Sequence, residues 1–196
     1  MCGIGAIING KTEEIHKIMG PIKARGELDS FNENKIIGKT VLSCNRLRIV
    51  GRETGKQPIH NETKNVFAVL NGEIYNYEKL RQELKEKGHV FSTNTDTEVL
   101  VHAYEQWDKE FVKKLDGMFA FVIFDKKKNE FLAARDPYGI KPLFFAIEKD
   151  TTYFASEAKQ LVKHCNLIKE VLPGTMIVNG DIKRYYELPE KDIDET

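Results

Sequence analysis

Two short stretches of this chain hold residues able to perform acyl-transfer chemistry. A cysteine stands second, in Met1-Cys2-Gly3, just ahead of the apolar run of an early strand. Removal of Met1 would leave Cys2 with its thiol and a free α-amine on one residue. The ordinary pKa of such an amine, about 7.7–8.0, lies just below the thiol's ordinary value of about 8.5. A proton can therefore pass between them nearly in balance, and no histidine is required as base. The competing reading makes Cys2 a small apolar residue that opens a buried strand. The second stretch is Asn71-Gly72, inside FAVLNGEIYNY. An Asn-Gly pair between apolar runs is first of all a hairpin turn, and spacing alone favours that reading. The same pair can instead aim one side-chain amide and one backbone N–H at a developing oxyanion.

Strand-like segments must carry these residues. CGIGAII opens the chain, and VLSCNRLRIV, VFAVL, GMFAFVIF, EFLAAR, PLFFAI, TYFAS, TMIV and IKRYY follow, bounded by Gly, Pro, Asn or Asp. Asn179-Gly180 marks a hairpin between TMIV and DIKRYY. Two helices are expected. One is NYEKLRQELKEKG, with Tyr77, Leu80 and Leu84 on one face and its stop at Gly88. The other is TDTEVLVHAYEQWDKEFVKKLDG, with a capping box at Thr95 and Glu98 and a core stripe of Leu100, Tyr104, Trp107 and Phe111. A shorter helix from about Glu13 to Met19 is interrupted at Gly20-Pro21. Short connections and one-sided helices point to an α+β fold, two antiparallel sheets packed on each other with helices outside.

Composition excludes several classes. Basic and acidic residues balance at 30 each, so neither nucleic acid nor a membrane surface is the default partner. Lys126-Lys127-Lys128 reads as a hairpin tip. Three widely spaced cysteines argue against a disulfide framework or a C-x-x-C metal site and for a reducing cytoplasm. Cys44 and Cys165 are expected in the core. The five histidines show no metal-ligand spacing, and no metal or cofactor is expected. The run Met118–Phe124 is too short to span a bilayer, and no signal peptide precedes the first strand.

MCGIGAI, NRLRIV, GKQPIHN, NGEIYNYEKLRQEL, TDTEVLVHAYEQW, LDGMFAFVIFD, ARDPYGIKPLFF and ASEAKQLV occur in this order. Together they resemble the glutaminase domain of class II glutamine amidotransferases, N-terminal-nucleophile hydrolases, of the asparagine synthetase type. The resemblance runs from Cys2 to about Tyr186. It implies a four-layer α-β-β-α sandwich over residues 1–188, with 189–196 a charged tail or linker. It implies Cys2 as nucleophile with its own amine as base, and Asn71 and Gly72 as the oxyanion hole. It implies that Arg46 binds the α-carboxylate of L-glutamine, that the stretch through Leu47, Ile49 and Val50 lines the pocket, and that Glu73 and Asp96 meet the α-ammonium. Each of the three charged residues also has a plainer reading. Arg46 could be a solvated strand residue, Glu73 another, and Asp96 an acid at a helix start, where it meets the helix dipole.

The segment 50–61, VGRETGKQPIHN, is expected to form a lid. Arg135, Asp136 and Gly139 read as architecture, a turn between strands. Where the family commonly has H-R-G-P-D, this chain has Ala24-Arg25-Gly26-Glu27-Leu28-Asp29, which leaves the local geometry open. No S-G-G-x-D-S or G-x-x-x-x-G-K-[ST] phosphate loop occurs, so ammonia released here would be used by a synthetase domain or subunit outside this chain. The alternatives are the glutaminase part of another class II amidotransferase, such as those making amidophosphoribose or glucosamine phosphate, and a non-catalytic module of the same fold.

Overall fold

The computed structural model describes residues 1–27 and 33–187. Leu28 and Asp29 of the altered loop, and the 189–196 tail, lie outside the described residues. Strands β1 (Gly3–Ile8), β2 (Glu33–Ile37), β3 (Thr40–Asn45), β8 (Phe144–Glu148), β9 (Thr151–Ala155) and β10 (Lys169–Glu170) form one sheet, in the order β10-β8-β9-β1-β3-β2. Strands β4 (Ile59–His60), β5 (Val66–Ile74), β6 (Gly117–Asp125), β7 (Glu130–Arg135), β11 (Thr175–Val178) and β12 (Asp181–Arg184) form the other, in the order β12-β11-β7-β6-β5-β4. Every ladder within the two sheets is antiparallel.

Three apolar layers hold the stack together, and the period-two alternation of the strands assigns residues to each. On β1, Ile4, Ala6 and Ile8 enter the core between the sheets, while Ile7 faces α1 (Ile15–Met19). Gly3 and Gly5 share the face of Ile7. A Cβ on Gly5 would lie 2.7 Å from the Met19 sulfur and one on Gly3 2.6 Å from Ile22 Cδ1, so the absence of side chains lets α1 sit close on the sheet. On β6, Ala120, Val122 and Phe124 point into the intersheet core. Phe119, Phe121 and Ile123 point the other way, under α2 (Tyr77–Glu86) and α3 (Glu98–Trp107). Each fully buried Phe, Ile or Leu of these layers contributes about 1.5–3 kcal/mol relative to exposure. The result is the α-β-β-α sandwich expected from the sequence.

Several local expectations are corrected. The helix after Thr95 begins at Glu98 and gives way to a 3-10 segment over Asp108–Lys114. The capping box at Thr95 does not form. The Glu98 carboxylate instead accepts hydrogen bonds from the backbone and side chains of Ser92 and Thr93, because the chain before the helix folds back over it. The α-helical pattern of α1 ends at Met19, as expected, but Gly20-Pro21 carry the chain on as a 3-10 turn over Gly20–Ile22, a place where proline's missing N–H costs nothing. Strands β2, β4 and β10 have too little apolar alternation to be read from sequence. The turns at Lys126–Lys128 and Asn179-Gly180 lie where expected; Asn179 and Gly180 have φ of 51° and 95°, as a tight hairpin requires.

Arg135 and Asp136 form the turn anchor read from the sequence. Arg135 donates to the carbonyls of Lys141, Val171 and Gly139. The Asp136 carboxylate accepts the N–H groups of Tyr138, Ile140, Lys141 and Phe119.

Candidate active site

Strand parity brings the two reactive stretches face to face. Cys2 continues the inward face of Ile4, Ala6 and Ile8 and packs against the intersheet core at its open end. On the opposing sheet, Phe67 and Val69 point inward, and Asn71 follows them by the same alternation. Asn71 pairs with Ala120 across the β5–β6 ladder, and so small a neighbour leaves its amide room. The side chain is only 1% exposed, yet neither Oδ1 nor Nδ2 makes a hydrogen bond. The Asn71-Gly72 pair is not a turn: β5 pairs with β6 without a break from Val66 to Ile74. The nine residues of Gly117–Asp125, apolar or aromatic from Met118 to Phe124, override the local turn preference by giving the strand a full-length partner.

The edge of β5 leaves a backbone N–H beside Asn71. Strand β4 covers only Phe67 and Ala68, so beyond them β5 lacks a neighbour. Side chains take the strand's place: Leu70 N–H donates to Gln57 Oε1 at 2.7 Å and Ile74 N–H to Asp96 Oδ2 at 3.0 Å. N–H groups two residues apart in a strand point the same way. Gly72 N–H, between these two, therefore points to the same open side. A side chain at Gly72 is excluded, since its Cβ would fall on the Met118 carbonyl oxygen.

A cavity of about 180 Å³ opens here. Cys2, Arg46, Leu47, Ile49, Val50, Asn71, Gly72, Glu73 and Asp96 all line it, so the structure brings together every site residue named from the sequence. Met1, Gln57, Thr97, Met118 and Lys141 complete the wall. Gln57 belongs to the expected lid and Met1 precedes the nucleophile, whereas Thr97, Met118 and Lys141 carried no site signal, except that Met118 faces Glu73 once the β5–β6 register is known. Met1 is present, so the Cys2 nitrogen is a peptide N–H here; the Met1 carbonyl accepts Gly26 N–H at 3.0 Å. Arg25 Nε donates to the Cys2 carbonyl at 2.7 Å and its Nη1 to Glu157 at 2.6 Å. The Arg-Gly part of the altered loop thus fixes the backbone that carries the thiol.

Arg46 lies one residue past the end of β3 rather than on a strand. Its Nη2 donates to the carbonyls of Val50 and Gly51 at 2.7 and 2.9 Å, and its Nη1 to that of Arg52 at 3.4 Å. Arg46 is 4% exposed, and its guanidinium holds the start of the 50–61 segment over the cavity. Asp96 stands two residues ahead of α3, not within it, and is committed to the edge of β5. Burial pushes its carboxyl above the ordinary aspartate value, and the neighbouring Glu73 charge adds to this, against the Ile74 and Thr97 N–H groups. A cation brought to this corner would find two acids, one held in reserve by its surroundings.

The surroundings of Cys2 lower the pKa of its thiol. A hydrogen bond from Cys44 brings Cys2 down to about 6, against its burial. The Leu47 N–H, 3.2 Å from Sγ, the Met1 amine and the Arg46 guanidinium act in the same direction. Cys44 is fully buried, and its own thiol is pushed up by that hydrogen bond and by burial. Cys44 is therefore a core residue, as expected. Cys165 is half-buried against the α1 layer.

A family model described as a glutamine amidotransferase domain matches residues 1–190. The chain belongs to this family. As a glutamine amidotransferase domain it is 40% identical over 195 residues to a probable asparagine synthetase (glutamine-hydrolyzing) of Dictyostelium discoideum, covering 95% of this chain and 35% of that protein. It is 40% identical over 171 residues to asparagine synthetase (glutamine-hydrolyzing) 1 of Bacillus subtilis, covering 83% of this chain and 27% of that one. The domain thus spans about a third of the length of these curated relatives. The solved glutamine phosphoribosylpyrophosphate amidotransferase of B. subtilis superposes with a TM-score of 0.75 at 23% identity, over 94% of this chain and 49% of that one. That likeness concerns the fold. Among the described residues, no helix of the domain is long and apolar enough to cross a membrane.

Proposed function

We propose that this domain hydrolyses the side-chain amide of L-glutamine to glutamate and ammonia, with Cys2 as N-terminal nucleophile. The observation that carries the reading is the buried, unbonded amide of Asn71 in the same small cavity as the lowered thiol of Cys2. An unsatisfied buried amide costs about 1–3 kcal/mol, a cost that a transition-state oxyanion would relieve. The cavity's volume, below the roughly 300–1,000 Å³ of drug-sized sites, suits one amino acid.

Once Met1 is removed, the α-amine of Cys2, more basic than a thiol lowered to about 6, holds the proton that the thiol gives up, and the thiolate Sγ attacks the amide carbon. The tetrahedral oxyanion rests on Asn71 Nδ2–H and Gly72 N–H, the amine hands its proton to the leaving nitrogen, and ammonia departs. Water then attacks the glutamyl thioester with the amine again as base, releasing glutamate and restoring the thiol. Arg46 meets the α-carboxylate, and Glu73 and Asp96 the α-ammonium, between walls supplied by Leu47, Ile49 and Val50. The segment 50–61 acts as the lid over the bound amino acid. No residue of this scheme calls for a cofactor. The relatives' names support an asparagine-synthetase-type acceptor for the ammonia, in a domain or subunit beyond residues 1–188, and the odd cysteine count supports the cytoplasm.

The test compares kcat/KM for free L-glutamine and for an N-acetylated glutamine amide, with intact mass measured in parallel. Active protein should begin at Cys2 and strongly prefer the free amino acid, whose two charges the site would otherwise leave unpaired. Full activity in protein that retains Met1 would overturn the amine mechanism, and equal handling of both substrates would overturn the charge clamp.

A further inference from the structure

We propose that Glu62, His89, His102 and Glu105 form a binding site for one divalent cation of the zinc class, separate from the cavity of Cys2. The four residues come from three places. Glu62 is in the turn between β4 and β5, His89 follows the end of α2, and His102 and Glu105 are one turn apart on α3. Such scattering explains why histidine spacing in the sequence predicts no metal. One ligand atom from each lies within 4.8 Å of all the others. The closest approaches are 3.2 Å from His102 Nδ1 to Glu62 Oε2, 3.6 Å from His89 Nδ1 to Glu62 Oε1, and 3.9 Å from His89 Nδ1 to Glu105 Oε2. Ligands about 2.0–2.1 Å from a tetrahedral zinc ion stand about 3.3–3.4 Å apart. The cluster is therefore already near the size of a coordination shell, without the metal.

His102 gives the independent reason to look for a ligand. Its side chain is 0% exposed, and neither ring nitrogen makes a hydrogen bond, an arrangement that a buried polar group rarely keeps. The outer nitrogens of both rings face acceptors. His89 Nε2 is 3.2 Å from Gln106 Oε1, and His102 Nε2 is 3.6 Å from Glu98 Oε1. The Gln106 hydrogen bond places the proton of His89 on Nε2, and the Glu98 carboxylate, too distant for a hydrogen bond, favours the same placement on His102, so that the Nδ1 lone pairs turn toward Glu62 as in metal-bound imidazoles. Glu62 is anchored likewise, its Oε1 accepting Val90 N–H at 3.0 Å. Two lone pairs and two carboxylates converging on one point require a positive centre. Two imidazoles and two carboxylates match zinc in donor type, and two negative ligands balance a doubly charged ion. The bound ion would tie the β4–β5 turn to the helical layer.

The test is zinc stoichiometry and affinity of the full chain, by metal analysis after gel filtration and by titration, with Co²⁺ as a visible-absorption probe of four-coordination. Because His102 lies in the core, its replacement endangers the fold, so the ligand variants are His89→Ala and Glu105→Gln. Cys2→Ala controls for thiolate capture of the metal. The expected result is one zinc per chain in wild type and in Cys2→Ala, with a raised Tm. Each ligand variant should bind more weakly by at least the roughly 10–100-fold that loss of a mere outer partner costs. Absence of stoichiometric zinc in wild type would overturn the site. Binding that survives both ligand variants but vanishes in Cys2→Ala would overturn it as well.

Discussion

Asn71→Ala separates catalysis from folding more sharply than any other single change in the site. If Asn71 Nδ2 donates to the oxyanion, its loss should lower kcat by about 10²–10³-fold, or about 2.7–4 kcal/mol of transition-state stabilisation. KM should move little, because the donor acts on charge that develops only as the bond forms. The same structure predicts an unusual stability result. The amide makes no hydrogen bond in the free protein, so truncation forfeits none. It also removes a buried unsatisfied group, which costs about 1–3 kcal/mol where it stands. The space left behind adjoins an existing cavity rather than a sealed void. At about 2–4 °C per kcal/mol for a chain of this size, Tm should hold or rise by a few degrees. Glutamate release with glutamine as substrate gives the first quantity and differential scanning calorimetry the second. A kcat within about threefold of wild type, together with a Tm several degrees lower, would refute the oxyanion assignment and make Asn71 a purely structural residue.

Two further changes probe the electrostatics. Cys44→Ala removes the hydrogen bond that chiefly holds Cys2 near 6, so the pH midpoint for alkylation of Cys2 should rise by about one unit or more toward the ordinary thiol value; an unmoved midpoint contradicts that role. Asp96 has its carboxyl raised by burial, so relative to the unfolded chain it favours folding at low pH and opposes it as pH rises past its folded value. Asp96→Asn should therefore leave Tm at pH 7–8 unchanged or higher while raising KM for glutamine, and a lower Tm with an unaltered KM would show that the acid serves the fold instead.

The sandwich was legible because alternation is a local property. Ile4, Ala6 and Ile8 declare one face of β1, and Gly3 and Gly5 the other, before any partner is known. Asn71-Gly72 was legible only as an ambiguity: the pair is the best of short turn signals, and just the matching length of Gly117–Asp125 turns it into strand. Arg46 could not be placed past the strand end from sequence, since the break in β3 is made by Asn45, whose side chain bonds the distant Ile22 carbonyl, and by Glu27 N–H, which takes the Arg46 carbonyl. Gln57 was legible only as part of the expected lid, while Thr97 and Lys141 reach the site through tertiary contacts alone and left no periodic or spacing mark. The Glu62, His89, His102 and Glu105 cluster was hidden for the same reason.

The two-residue length of β4 reaches further than the topology suggests. Had the strand run on, its carbonyls would have capped the N–H groups of Leu70, Gly72 and Ile74 in turn, and the sheet would have been complete and chemically mute. Gln57 and Asp96 complete it at two of those points and leave the third vacant. The reactive hollow is thus a missing stitch in a fabric otherwise knitted through. Its donor is as stiff as the nine-pair ladder behind it, while its lining can be swapped without unpicking that ladder. A domain built this way could change its preferred amino acid by exchanging a few loop side chains and still inherit an undisturbed frame.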